Sequence, residues 1–519
     1  MARSYQLSHE QLKDKILGGW SGKAYGCMMG EPMEFKAQGE IYEGTLDIHP
    51  KAPTVWLHNE DDMYVNMALL EVMQKEGIDA TRDHFARVFT DSPFMLWHAN
   101  GQARQNLLAG MSADLSGHPR FNPHADDIDF QIECDFIGLI SPGLPAAVTD
   151  YADRVGHIMN YGEGYYAGVF LASLYAAAFI ENDRLEMIEM ALQTIPVDCD
   201  YALMLRDLLA WYAQEPEDWR VTWQKVEDKW NNDLCPWAKT DAGCFNIQGH
   251  FNGVYVLMGI LYGGGDYIKS ISVCTRCGQD TDSNVGNCGG IMGAIIGYER
   301  LPDEVKSELA PYMDRDYNHT TLSNNSATQL CYQLALSLIE KHGGRIGDMI
   351  ELPNQPFQFV GEREVSFIDC QIVDAYPTLD DAIQWHGDWD RDEILSQPTY
   401  GKEVISSSDY GDYAEVKFRG NCIYMQAALS SSCGIVDIYI DGEHVGTRDL
   451  FIDAGFDHTF HVQATAVWET GLDDGEHVLK VVVSEQKNPH SSGFLVSLGR
   501  VVSYSGKVAE LPEQYRGNA

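Results

Sequence analysis

Positive charge is scarce in this chain. Lysine and arginine together number 36 against 77 aspartates and glutamates, a net charge of −41 at pH 7 over 519 residues. Such a field repels phosphate backbones and anionic headgroups at long range, which argues against nucleic-acid or membrane-surface binding. Long apolar runs are missing too, since no stretch approaches the ~18 uninterrupted apolar residues of a membrane span. The opening residues Met1 to Glu10 lack the basic-then-apolar order of a signal peptide. The 12 cysteines are scattered, and the CxxC formed by Cys274 and Cys277 has no second pair at zinc-ribbon spacing. These absences together predict reduced, buried thiols in a cytoplasmic protein. Several familiar catalytic signatures are also absent: HExxH, GxSxG and GxxxxGK[ST].

What is present is enough apolar material, 45% of residues, to bury sizeable cores. The length exceeds the ~250–300 residues at which one core stops growing, so two domains are expected. Leu12, Ile16, Trp20, Ala24 and Met28 recur every four residues, the period of a helix that should stop at Gly30-Glu31-Pro32. Further helical stretches follow Asp61, Asp150, Tyr165, Leu185 and Asp200, and one precedes Lys225. Residues 252–262, 283–297 and 327–341 complete a predominantly α-helical domain over 1–345. The stretch 283–297 carries five glycines, each disfavouring helix by ~1 kcal/mol, so a backbone or a ligand must approach closely there. After a linker at 346–362 the period changes to two, with Val436, Ile438 and Ile440 alternating before an Asp441-Gly442 turn. Asp474-Gly475 is a second turn signal. An all-β sandwich of jelly-roll type is expected over 363–519.

Two acidic clusters sit where helices begin: Asn59-Glu60-Asp61-Asp62 and Gly278-Gln279-Asp280-Thr281-Asp282-Ser283. Acidic residues in a first helical turn are ordinary dipole partners. If the two helix starts converge, however, Asp61, Asp62, Asp280 and Asp282 bring four negative charges together, with Ser283 adding a neutral oxygen. Hard divalent cations prefer such oxygen donors, and two of them would cancel the charge. A calcium loop starting at Asp280 fails, because its glycine position is Val285 and its glutamate position is Ile291. Glu34, in the apolar stretch Met33–Phe35, is a candidate general acid or base, and His157 a candidate substrate contact.

The run Gly22-Lys23-Ala24-Tyr25-Gly26-Cys27-Met28-Met29-Gly30-Glu31-Pro32-Met33-Glu34 resembles the opening motif of the ADP-ribosylglycohydrolase family. The paired Asp61-Asp62 and the late Gly278-Gln279-Asp280-Thr281-Asp282-Ser283 resemble its two acidic motifs. Gln131–Asp135, Ser141–Pro145 and His157–Gly164 follow in the family's order. The resemblance covers about residues 10–345. It implies an all-α fold whose cleft binds two divalent cations, Mg²⁺ or Mn²⁺, and cleaves a ribosyl glycosidic bond. By position it implies Glu60, Asp61, Asp62, Asp280, Asp282 and Ser283 as metal-site residues, Glu34 as the acid/base, and Asp135 and His157 as substrate-cleft residues. Glu60 replaces the family's usual serine or threonine, and Cys27 its usual aspartate.

The expected partner is a small ribosyl or ADP-ribosyl compound, with self-association left open. The acidic field and the shortage of arginine keep a neutral ribofuranoside or nucleoside as an alternative substrate. A non-catalytic, metal-stabilised sugar-binding protein is the alternative from another class. In the β region Trp385, Trp389 and Tyr413 are read either as sugar-stacking surfaces or as core residues.

Overall fold

The computed structural model describes residues 5–34, 36–46, 54–56, 60–231, 246–391, 404–453, 455 and 462–515. Phe35 and Asn59, both named above, lie outside these residues. Helices fill the first two-thirds of the chain and antiparallel strands the last third. The first long helix spans His9–Gly30, ending where Gly30-Glu31-Pro32 predicts, and a 3₁₀ turn, Glu31–Met33, follows it. Ser8 and Gln11 form its capping box. From Gly18 to Gly30 every residue is buried, so this is a central helix rather than a surface amphipathic one.

Its partner is the glycine-rich helix Thr281–Ile296. The two run antiparallel with their backbones almost touching. A Cβ built on Gly18 would lie 2.3 Å from the Gly293 carbonyl oxygen, one on Gly22 would lie 2.1 Å from that of Gly289, and one on Gly26 would lie 2.2 Å from that of Val285. The glycines at i, i+4 and i+8 thus form one ridge, and Gly286, Gly289 and Gly293 answer it from the other helix. The helix-breaking cost of these residues is offset by an approach no side chain permits. The consequence is positional: the C-terminus of the first helix lies against the N-terminus of the second, with Gly30 beside Thr281 and Asp282.

Tyr5–Ser8 pairs with Met349–Leu352, which pairs with Arg345–Ile346, a three-stranded sheet tying the chain's beginning to the end of the helical region. The last helix of that region is Asn324–Lys341. Most of the predicted helices are present. Helices not expected from the sequence are Arg82–Asp91, whose Phe85, Val88 and Phe89 do recur at helical spacing, His98–Leu108, and the one-turn pieces Asp129–Glu133 and Asp135–Ile140, too short to show a period. Among the described residues no helix is long and apolar enough to cross a membrane.

The β region is built on two long strands, with shorter ones around them. Tyr413–Leu429 pairs with Val462–Val483 over nearly its whole length, and Val496–Val508 lies on its other side. Asp441 and Gly442, both at positive φ, make the predicted hairpin turn between Ile435–Ile440 and Glu443–Asp449. Asp474-Gly475 makes no hairpin. It falls in a bulge of Val462–Val483, where the register jumps from Thr470 opposite Cys422 to Gly475 opposite Gly420. Trp389 is buried in the β core, and its indole N–H donates to the His386 carbonyl at 3.1 Å. Tyr413 is stacked on His386, and the Lys480 ammonium lies 3.8 Å from its ring centre.

The β region packs directly on the helical one. Ile128, Ile132 and Ile247 form one apolar cluster with Cys422, Tyr424, Val502 and Tyr504. Arg120 donates to the Thr470 carbonyl at 2.6 Å, and the Trp468 indole donates to that of Pro119 at 2.9 Å.

Candidate active site

The glycine-packed helix pair fixes where the acidic motifs meet. Asp280 precedes the Thr281–Ile296 helix and Asp282 lies in its first turn; Glu34 follows the 3₁₀ turn at the end of the first helix. Carboxylate oxygens of Glu34, Asp280 and Asp282 all lie within 4.8 Å of one another. Those of Glu60, Asp61 and Asp62, at the start of the Asp61–Glu76 helix, form a second such group. The groups are joined, because Ser283 Oγ donates to Asp62 Oδ2 at 2.9 Å.

The electrostatics carry the mark of crowding. Burial pushes the Glu60 carboxyl well above its ordinary pKa, and the charges of Asp282, Asp62 and Asp61 push it further. Asp61 is raised by burial and by Asp62 and Asp282, and Asp280 by burial and by Asp282 and Glu34. Asp282 is raised to about 6 by burial and by Asp62. Oε1 of Glu60 and Oδ1 of Asp282 are buried with no hydrogen-bond partner among the described residues. Two buried orphan acceptors among mutually repelling carboxylates are a donor set suited to hard divalent cations.

One buried cation supports this group from below, and no pattern in the sequence marks it for that role. Lys23 is fully buried; its ammonium lies 3.2 Å from Asp62 Oδ1 and 2.9 Å from Asp135 Oδ2, and it donates to the Ile132 carbonyl at 2.9 Å. Burial alone would lower its pKa, but Asp135 and Asp62 outweigh that and raise it. Asp135 also accepts from Tyr175 at 2.5 Å, from Asn287 at 3.2 Å and from Asn66 at 3.3 Å. With no exposed surface, Asp135 sits one layer beneath the acidic group and reaches it through Lys23. Cys27 is buried against Gly286, and burial together with Asp62 and Glu60 pushes its thiol up.

His157 is not brought into the group. Its ring stacks on Tyr165 at 4.1 Å, its Nδ1 lies 3.1 Å from Asp153, and its Nε2 lies 3.1 Å from Glu364, in the segment entering the β region. Its described neighbours form an ion-paired clasp between the helical region and Glu364. Burial lowers its pKa, but Glu364 and Asp153 overcome this and raise it to about 9. A histidine raised in the folded state stabilises fully below its unfolded pKa of about 6.5, and that stability is lost as pH rises through about 9. His157→Gln should therefore cost about 2–3 kcal/mol near pH 6 and little above about pH 10. Urea unfolding at the two pH values checks this.

The comparisons with known proteins bear on this geometry. Residues 8–342 match the family model described as ADP-ribosylglycohydrolase. The chain belongs to that family. Its name denotes glycosidic-bond hydrolases, and the match spans both acidic motifs and Glu34. A curated protein of Flavonifractor plautii, an "A type blood alpha-D-galactosamine galactosaminidase", is 31% identical over 111 residues, 21% of this chain and 10% of that protein. The chain thus spans only about a tenth of that relative's length. Among solved structures, an "ADP-ribosylglycohydrolase-related protein complex" is 15% identical, covering 63% of this chain and 99% of that one, with a TM-score of 0.42. A carbohydrate-binding module, "CBM36 in complex with calcium and xylotriose", is 13% identical, covering 26% of this chain and all of that one, at a TM-score of 0.18.

Proposed function

We propose that this ADP-ribosylglycohydrolase-family chain hydrolyses a ribosyl glycosidic bond with two divalent cations, Mg²⁺ or Mn²⁺. Glu60, Asp61, Asp62, Asp280, Asp282 and Ser283 would hold the ions. The observation that carries the reading is the meeting of two acidic helix starts and Glu34 in one group whose carboxylates repel one another and leave buried acceptors without donors. When bound, the ions would neutralise this charge and act as Lewis acids towards sugar hydroxyls. Glu34, half-buried and beside Asp280, is the group proposed to pass a proton between water and the departing oxygen as an oxocarbenium-like state forms. Lys23 and Asp135 are assigned a positioning role, holding Asp62 by charge and hydrogen bonding.

A neutral ribofuranoside or nucleoside is the second reading of the substrate. Lys23 is the basic side chain among the described partners of the acidic group, and it is wholly buried, so it offers nothing to a pyrophosphate. The experiment is sugar release followed by chromatography from ADP-ribosyl-arginine and a neutral ribofuranoside, each with Mg²⁺, Mn²⁺ or chelator. Ion-dependent release that disappears in Asp280→Asn, with Glu34→Gln slowed by about 10²–10⁴-fold, is the expected result. Release from the neutral compound alone selects the second substrate. Tight sugar binding with no release from a wide panel would overturn hydrolysis in favour of a binding protein.

A further inference from the structure

Away from the acidic group, a different set of donors meets at the seam between the helical and β regions. His124 Nδ1 lies 2.7 Å from Asp127 Oδ2 and His98 Nδ1 lies 3.4 Å from the same oxygen. One donor atom from each of the three residues falls within 4.8 Å of the other two, and their side chains are only 10%, 4% and 3% exposed for His98, His124 and Asp127. The two imidazole rings are 5.6 Å apart and inclined at 75°, so their nitrogens converge on the carboxylate from different directions.

The backbone around these side chains is held from several sides. His124 and Asp127 belong to one turn closed by the Asp127 N–H on the His124 carbonyl at 2.9 Å. Asn160 donates to the carbonyls of Ala125 and Asp127 at 2.9 and 2.8 Å. His98 opens its helix at φ +39°, a conformation costly for a side chain with a Cβ, and the next two N–H groups are tied to Asp129 at 3.1 and 3.0 Å. Tyr424 of the β region stands edge-on to His124, its ring centre 6.2 Å away.

From this arrangement we infer that His98, His124 and Asp127 form a site for a borderline divalent transition ion of the zinc class, separate from the acidic group. Two imidazoles and one carboxylate are the donors that such ions prefer, whereas the acidic group offers oxygen alone. A tetrahedral ion at 2.0–2.1 Å from nitrogen and oxygen donors has ligand–ligand edges of about 3.3 Å. The His98–Asp127 separation of 3.4 Å matches that edge, whereas the 2.7 Å His124–Asp127 contact is a hydrogen bond whose proton the ion would displace as the ring rotates. Three protein donors leave one tetrahedral position for an exogenous ligand.

The test uses the full, tag-free chain stripped with chelator and then kept in excess Mg²⁺ to fill the acidic group. Zn²⁺ is titrated by calorimetry, and the bound ion is examined by X-ray absorption. One Zn²⁺ per chain with imidazole scattering, retained in Asp280→Asn and weakened at least about 100-fold in His98→Gln and His124→Gln, is expected. An all-oxygen or sulfur-rich spectrum, Zn²⁺ binding that Mg²⁺ abolishes, or no binding at all would overturn the assignment. The wild-type spectrum needs no substitution, so the result stands even if a histidine variant fails to fold.

Discussion

Lys23→Met is expected to destabilise the chelator-treated protein by about 3–5 kcal/mol and to abolish sugar release. The methionine keeps the length and apolar stem of lysine while removing the charge between Asp62 and Asp135 and the donor to the Ile132 carbonyl. Removing one partner of a wholly buried ion pair leaves the other charge without compensation, which is where the cost arises. The Asp135→Asn substitution removes one of those stranded charges. The double variant should therefore be at least about 1 kcal/mol more stable than the sum of the single effects implies. Urea unfolding of the four proteins measures the coupling. A single-variant loss below about 1 kcal/mol, or simple additivity, would show that Lys23 does not hold this layer together.

The same residue shows what a sequence can and cannot convey. Asp61-Asp62 and Asp280-Thr281-Asp282-Ser283 are legible because each group is contiguous and begins a helix, so its chemistry is concentrated in a few positions. Lys23 stands within the first motif as the single charged residue between Lys15 and Glu31. In a helix buried on every side such a lysine must find carboxylates. Its partners come from two other helices, however, and only their packing names them. Asn66, Tyr175 and Asn287 escape for the same reason: each looks like an ordinary helical polar residue until Asp135 is placed among them. His157 is the opposite case, a conspicuous residue in a motif-like stretch that the packing places apart from the acidic group, beside Asp153 and Glu364. His98, His124 and Asp127 come together through a loop and a helix start that carry no periodic signal. In the β region the alternation of Val436, Ile438 and Ile440 was readable. The bulge at Thr470–Gly475 was not, because Asp-Gly suits a bulge as well as a turn.

The glycine ridge is where sequence and site are most tightly linked, and Gly22→Ala should show it. Alanine favours helix over glycine by about 1 kcal/mol, so propensity alone predicts a more stable protein. The new methyl would nevertheless lie 2.1 Å from the Gly289 carbonyl oxygen and 2.8 Å from its carbon. Both are backbone atoms, which cannot rotate aside as a side chain can. The helices must separate, and overpacking of this kind costs about 1–3 kcal/mol or more, so the net change is a loss. The separation also acts at a distance along the pair. Glu34 leaves one helix end where Asp280 and Asp282 enter the other, so a shift at Gly22 changes the spacing of all three carboxylates. A displacement of about 1 Å at a catalytic group costs on the order of 100-fold in rate. Gly22→Ala should therefore lose both stability and turnover, whereas Gly446→Ala, with no atom within 4 Å of the added carbon, should change stability by less than about 0.5 kcal/mol and leave turnover intact. If Gly22→Ala were stabilised, as its helix propensity alone requires, the close approach of the two helices could not be what positions the site.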